Sequence, residues 1–506
     1  MFFFRFLTYL SKKMDSKIPS ISHRILVLNT LAMLACFAAW TLNGVLVTYL
    51  VSTGVFDWNS IQSGWLIGIP VLMGAIVRVP VGILTDKLGG KWIFTGLMLV
   101  CALFLYILSF ATGFISYALA SFGTGVAGGC FAVAIGYTSV WYPIKWQGTA
   151  LGIVGFGVAG ASITGLLAPS LLDSFTNGGT NPENWRLLPR VYAAGMTAMA
   201  VLFIFFTTNK KPLNSNVSFS LVMKRIKNPK ILRLGFYYFL TLGGFVSFAQ
   251  WLIPYSLNVY GITLVQAGIL ASAFSLPTGL IGVIGGWWAD KYGARAVVMA
   301  TFQISILLSL MLLIPKMDIY TPGKGVLSTL NGTVTSVSLD EITVDNVVFP
   351  VVAKASEQER IDTPTYWDKI FPAKFNWQET NVSVGQVVGK KTLLAKGVTL
   401  ISCQANFWVF AILTVLIGSA WGVSMSGIVK FIPDYFPNEV GVVGGIVAFL
   451  GALGGFVCPI LFGYLLRWTG LWTSSWFLIL LLSVACLWLL TKVAISYVPH
   501  NYDQEV

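Results

Sequence analysis

Apolar residues run along this chain in stretches of about 20, the length that crosses roughly 30 Å of hydrocarbon at about 1.5 Å per residue. The pattern predicts membrane-spanning helices. Twelve such stretches lie near 25–50, 62–84, 93–112, 114–140, 148–171, 190–208, 234–258, 265–288, 297–315, 403–426, 440–465 and 473–496. A polar stretch, 209–233, divides them into six and six. The expected fold is therefore an all-α polytopic membrane protein. It has an N-terminal six-helix half (25–208), a linker (209–233), a C-terminal six-helix half (234–496) and polar tails at 1–24 and 497–506.

A second polar region, 317–402, separates spans nine and ten and contains no membrane-length apolar run. Alternating β-branched stretches at Thr333–Leu339, Glu341–Val344 and Val382–Gly389 predict a small β-rich module there. Two readings stay open for it: a plain surface insertion, or a cap that gates the protein or binds a partner of unknown identity. Asn331 and Asn381 begin glycosylation acceptor triplets, which matter only in a eukaryotic secretory pathway.

Composition sharpens the membrane reading. The 506 residues are 56% hydrophobic and 10% charged, against about 25% charged in ordinary soluble proteins, which excludes a soluble enzyme. The net charge of +13 reports topology rather than nucleic-acid binding, because Lys and Arg stay on the cytoplasmic side. With the N-terminus inside, the inner connections hold Lys87, Lys91, Lys145, Lys291, Arg295 and Lys430, and the linker holds Lys210, Lys211, Lys224, Arg225, Lys227, Lys230 and Arg233. The opposite short connections hold only Arg186, Arg190 and Arg467. Both termini, the linker and the tails are then cytoplasmic, the module 317–402 is external, and the first 24 residues are a retained tail rather than a signal peptide. The six cysteines form no disulfide framework or metal motif, and no cofactor is implied.

Each half carries one copy of a motif. Gly82-Ile-Leu-Thr-Asp86-Lys87-Leu-Gly89-Gly-Lys91 and Gly286-Trp-Trp-Ala-Asp290-Lys291-Tyr-Gly293-Ala-Arg295 lie 204 positions apart, in register. Alone, either copy is a turn between helices with Asp and Lys at helix ends. Two copies at equivalent places resemble the major facilitator superfamily, whose halves carry such a loop between their second and third helices. The resemblance implies two halves rocking about a central cavity.

A central Arg costs about 2.5–3.5 kcal/mol on insertion scales, so an intramembrane charge is a functional candidate. Arg78 is the one that qualifies: eight residues before Asp86, it sits about 12 Å from the helix end, near the midplane where transporter substrates bind. It reads as an anion ligand, through its planar fork of donors, or as a bracket that hydrogen-bonds helix carbonyls. The only histidines, His23 and His500, lie outside the apolar runs, and Asp86, Asp290, Asp434 and Glu439 sit at cytoplasmic helix ends. The spans thus lack a carboxylate relay, which favours an exchanger, a uniporter or a symport coupled through the substrate.

Two glycine-rich spans stand out, with Gly152, Gly155, Gly157 and Gly160 on the fifth, and Gly444, Gly445, Gly451, Gly454 and Gly455 on the eleventh. They read as tight packing or as sliding surfaces beside the substrate path. With Ala132–Pro143, Gln147-Gly-Thr-Ala-Leu-Gly152 and Ile432-Pro-Asp-Tyr-Phe-Pro437 they resemble the nitrate/nitrite porter family. That resemblance implies a transporter in a bacterial inner membrane, with a small monovalent anion, nitrate or nitrite first, as its substrate; another small anion or organic acid is the alternative, and a transporter-like sensor or scaffold the alternative of another class. In that family an Arg on helix two and another on helix eight clasp the anion. Arg78 matches the first, whereas Gly282 stands at the second, and Val158 and Met425 replace polar residues frequent in relatives. Gln250, Trp251 and Tyr255 on span seven and Trp40 and Asn43 on span one are the candidates to complete the site. Asp86, Lys87, Asp290 and Lys291, with the two glycine sets, are the expected conformational elements.

Overall fold

The computed structural model describes residues 19–211, 225–314, 317–354, 373–403, 406–436 and 440–497. The tail cations Arg5, Lys12, Lys13 and Lys17, Lys224 of the linker, Glu439 and the tail after 497 lie outside the described residues. Two compact units are present: Met1–Leu313 with Leu413–Val506, and Ile314–Ile412.

Among the described residues, twelve helices are long and apolar enough to cross a membrane. They are α1 (Ser20–Ser52), α2 (Ser60–Leu88), α3 (Gly90–Leu108), α4 (Phe114–Trp141), α5 (Ala150–Phe175) and α6 (Pro182–Phe206) in the first half. The second half holds α7 (Pro229–Tyr260), α8 (Leu264–Tyr292), α9 (Ala294–Leu312), α10 (Phe407–Tyr435), α11 (Val440–Thr469) and α12 (Ser474–Tyr497). All twelve expected spans are present. The tenth begins later than the apolar run suggests, because Cys403 is the last residue of a strand rather than the first of a helix.

The repeated motif is repeated in conformation as well. Gly89 (φ +90°) ends α2 and Gly293 (φ +85°) ends α8, a backbone region costly for any residue with a Cβ. Each lets the chain reverse at once into the next helix. The equivalent first helices of these pairs begin alike too, α2 with an Asn59–Gln62 capping box and α8 with a Thr263–Gln266 one.

Four of the described helices depart from α-geometry within their length: α1 breaks at Thr41, and three others change pitch. α4 tightens to a 3-10 turn at Gly125–Gly129, α5 does so at Phe156–Ala159, and α7 widens to a π-turn at Phe239–Gly243. Such breaks leave main-chain carbonyls available to side chains from neighbours.

The insertion is a β-module with its own core, as expected. Its strands are β1 (Met317–Leu327), β2 (Gly332–Val337), β3 (Glu341–Val344), β4 (Val347–Pro350), β5 (Ala373–Thr380), β6 (Val387–Val388) and β7 (Leu393–Cys403). They form sheets ordered β1-β7-β5 and β4-β3-β2-β6. Val334, Ile342, Val344, Phe349, Val388 and Leu394 are buried together. The expected strand at Val382–Gly389 shrinks to Val387–Val388, because Gly385 (φ +89°) turns the chain between Ser383 and Gln386.

Candidate functional site

Arg78 lies in α2 and is 2% exposed. Its Nε donates to the carbonyl of Gly128 in the 3-10 turn of α4 at 3.1 Å, and Nη1 donates to the carbonyl of Ala448 in α11 at 2.6 Å. The guanidinium therefore bridges the two halves. Nη2 is buried without a hydrogen-bond partner. Trp40 and Phe131 cover the cation, their ring centroids 5.6 and 5.5 Å from its central carbon, and Cys130 and Tyr238 are within its electrostatic reach. Arg78 thus brackets two carbonyls, and one of its donors is left over.

The approach of α2 to α4 at this level requires glycine. A Cβ on Gly74 would lie 2.9 Å from Trp40 Nε1 and 3.0 Å from Gly128 Cα. Trp40 is held there by a hydrogen bond from its indole to the Pro70 carbonyl, 3.0 Å.

Of the other predicted binding residues, the structure brings Trp40 to Arg78 and commits the rest elsewhere. Asn43 donates to the Leu66 carbonyl (2.7 Å) and Ser121 (3.0 Å) and accepts from Tyr117, a knot inside the first half. Trp251 packs on Phe462 and Trp472, and Tyr255 on Trp472, so both build an aromatic cluster within the second half. Gln250 is fully buried at a contact between halves, where a Cβ on Gly44 would be 2.7 Å from its Cβ; its Oε1 has no partner. A Cβ on Gly282 would meet Ser426 Oγ of α10 at 3.2 Å, and that hydroxyl donates to the Gly282 carbonyl at 2.7 Å. Position 282 thus serves the packing of α8 on α10. Sequence reasoning missed Gly128, Phe131, Tyr238 and Ala448, which only the bundle brings near Arg78; two act through main-chain carbonyls, which leave no trace in side-chain pattern.

The glycine-rich spans resolve into two kinds of position. Gly157 and Gly160 press α5 onto α1, against Met33 and the Leu34 carbonyl, and Gly451 and Gly454 press α11 onto α7 at Tyr238 and Phe239. These pairings are equivalent in the two halves. Gly455 instead meets Val71 of the other half at 2.9 Å. By contrast, among the described residues, a Cβ at Gly152, Gly155 or Gly445 would meet nothing within 4 Å, and one at Gly444 only Ile432 at 3.8 Å.

Closure between the halves follows the same division. Ser60 Oγ donates to the Gly463 carbonyl (3.3 Å), Ser272 Oγ to the Ser162 carbonyl (2.8 Å), and Gly68 nears the Phe456 carbonyl. All these contacts lie beyond Arg78, away from the Asp-Lys loops. On the loop side, Asp290 pairs with Lys430 inside its own half, and Lys291 stacks over Trp287 and Tyr292. The halves thus meet at the end opposite the Asp-Lys loops, and at the other end Gly152, Gly155 and Gly445 meet no described residue.

A sequence model of the Major Facilitator Superfamily matches residues 28–340, well over half of the chain. A relative from Thermus thermophilus, named a probable nitrate/nitrite antiporter, is 32% identical over 472 residues, covering 92% of this chain and 90% of its own. The chain belongs to the major facilitator superfamily and, within it, to the nitrate/nitrite porters. A probable nitrate/nitrite transporter of Mycobacterium tuberculosis is 30% identical over 293 residues, covering 56% of this chain and 71% of its own. Among solved structures, an inward-facing, occupied bacterial homologue of the human lysosomal transporter Spinster superposes with a TM-score of 0.61 at 14% identity, covering 94% of this chain and 97% of that one. That likeness extends to the fold alone. The protein is a multi-pass membrane transporter, not an enzyme.

Proposed function

We propose that this protein carries nitrate or nitrite across a bacterial inner membrane by alternating access, with Arg78 as the cationic ligand of the anion. The observation that carries the reading is the unpartnered Nη2 of a fully buried arginine at a midplane position. A buried donor without a partner costs about 1–3 kcal/mol, and a planar oxyanion removes that cost by accepting a charge-assisted bond. With one formal charge in the site, a monovalent anion is matched and polyanions are not. The names of the relatives from T. thermophilus and M. tuberculosis support the same substrates.

Both termini and the Asp-Lys loops lie in the cytoplasm in this proposal, and 317–402 lies outside. The end where the halves meet is then the external one, and the cavity opens inward. Arg78 holds Ala448 of the opposite half by its carbonyl; an anion that competes for Nη1 loosens that bond and lets the halves rock. The spans contain no carboxylate relay, which favours an exchanger, a uniporter or a symport coupled through the substrate, and the printed name of the T. thermophilus relative, an antiporter, supports exchange against a second anion.

Uptake into proteoliposomes with nitrate, nitrite and small carboxylates tests the proposal. Nitrate uptake accelerated by internal nitrite, and indifferent to an imposed pH gradient, is expected. Carboxylate uptake without nitrate or nitrite uptake overturns the substrate assignment.

A further inference from the structure

Arg186 and Arg190 belong to the few cations at the end of the bundle opposite the Asp-Lys loops, and the structure gives them different work. Arg186 Nη1 donates to the carbonyls of Ser109 and Ala111, both at 2.9 Å, and its Nε pairs with Glu183 at 3.1 Å. It caps the end of α3. Arg190, one turn further along α6, donates from Nε to Ser109 Oγ at 3.0 Å and lies 5.2 Å from the Phe110 ring centroid. No carboxylate pairs with it, and no group accepts from either of its Nη atoms, among the described residues.

Beside Arg190, α3 and α6 part into a groove of about 410 Å³. Leu99, Leu103 and Tyr106, exposed by 42%, 56% and 51%, form its α3 wall. Its α6 wall is low, with Ala194 and Thr197, and the Thr197 hydroxyl is satisfied by the Ala193 carbonyl at 2.9 Å. One cation therefore stands at the head of an apolar channel that runs about 10 Å along the span from Arg190 to Thr197.

We propose that this groove binds an anionic phospholipid, its phosphate on the Nη atoms of Arg190 and one acyl chain between α3 and α6. The groove runs along membrane-spanning helices, so hydrocarbon is the medium that fills it. The cation lies beside Ser109 at the end of α3, where headgroups lie. A guanidinium with two unoccupied donors matches two phosphate oxygens. Neither helix capping nor an ion pair explains Arg190, in contrast to Arg186.

The test is thermal unfolding of the purified full-length protein with dioleoylphosphatidylglycerol, dioleoylphosphatidylcholine or inorganic phosphate, together with native mass spectrometry of retained lipid. Phosphatidylglycerol is expected to raise Tm by several degrees more than phosphatidylcholine, and inorganic phosphate to have no effect. Arg190→Gln removes that increment and Arg190→Lys keeps part of it. Ala194→Trp, which fills the groove from an exposed position one helical turn from Arg190 and keeps the cation, removes it too and loses the retained lipid. Equal effects of the two lipids, an increment unchanged in both Arg190→Gln and Ala194→Trp, or its reproduction by inorganic phosphate overturns the proposal.

Discussion

At the scale of single residues, Arg78 shows why geometry decides where charge does not. Lys in its place keeps the cation, but an ammonium is a point donor that cannot hold Gly128, Ala448 and an anion in one plane. Loss of one charge-assisted bond costs about 1.5–3 kcal/mol, roughly ten- to hundredfold in affinity. Arg78→Lys should therefore raise the half-saturating nitrate concentration at least tenfold at normal expression, as measured by proteoliposome uptake; unchanged kinetics would reduce Arg78 to a bracket. Its importance was legible in the sequence from apolarity alone, because nothing else charged sits so deep. The surrounding shell was not legible: Asn43, Trp251 and Tyr255 have the right chemistry for a polar pocket, yet their partners Ser121, Phe462 and Trp472 come from other helices and claim them for packing. Arg at the Gly282 position would be directed at Ser426 and α10, so Gly282→Arg is expected to leave nitrate-dependent thermal stabilisation no greater than in the parent. A larger stabilisation in that variant would return position 282 to the site.

At the scale of elements, the glycine-rich helices contain two populations that sequence cannot separate, because both read as Gly in an apolar run. A side chain at Gly160 would strike the Leu34 carbonyl and lie 2.9 Å from Phe37 Cβ, whereas one at Gly152 meets nothing. Overpacking typically costs about 1–3 kcal/mol, so Gly160→Leu should lower Tm by several degrees and reduce yield. Gly152→Leu should leave Tm unchanged. An open glycine in a helix is nevertheless unfavourable by about 1 kcal/mol relative to Ala, and we propose that close approach in the opposite state of the cycle is what it serves. Gly152→Leu is accordingly expected to transport at least tenfold more slowly while remaining folded. Normal transport by that variant would leave the open glycines without a role in closure. The Asp-Lys turns were legible in both halves, down to Gly89 and Gly293, because a positive φ leaves a glycine at a fixed offset. The mid-helix 3-10 and π segments were not, since only packing between helices selects them.

At the scale of the whole molecule, the order of hydrophobic runs was enough for twelve spans and two halves, and the loss of membrane-length runs after 316 was enough for a separate module. Within that module the pattern failed where glycine and proline interrupt alternation: β1 holds Pro322, Gly323 and Gly325, and β7 holds Gly397. Those two strands matter most for its attachment. Met317 pairs with Cys403 and Asp318 with Ser402 in an antiparallel register, so the chain enters and leaves the module on adjacent strands, with Cα atoms about 4.5–5.5 Å apart. A short Gly-Ser linker in place of 317–403 can therefore join the ends of the chain that the removed strands leave, and Val334, Ile342, Val344 and Leu394 form a cluster within the module. The shortened protein is expected to fold and to transport at a rate within about twofold of the parent, since each doubling of loop length changes closure by only about 0.6 kcal/mol. In the full-length chain, Leu339→Cys, at a position 83% exposed, should react with an impermeant maleimide on intact cells, and labelling only after permeabilisation would reverse the proposed orientation. Loss of transport in a folded, correctly inserted deletion variant would make the module a gating cap; retained transport makes it a surface insertion whose use lies outside the transport cycle.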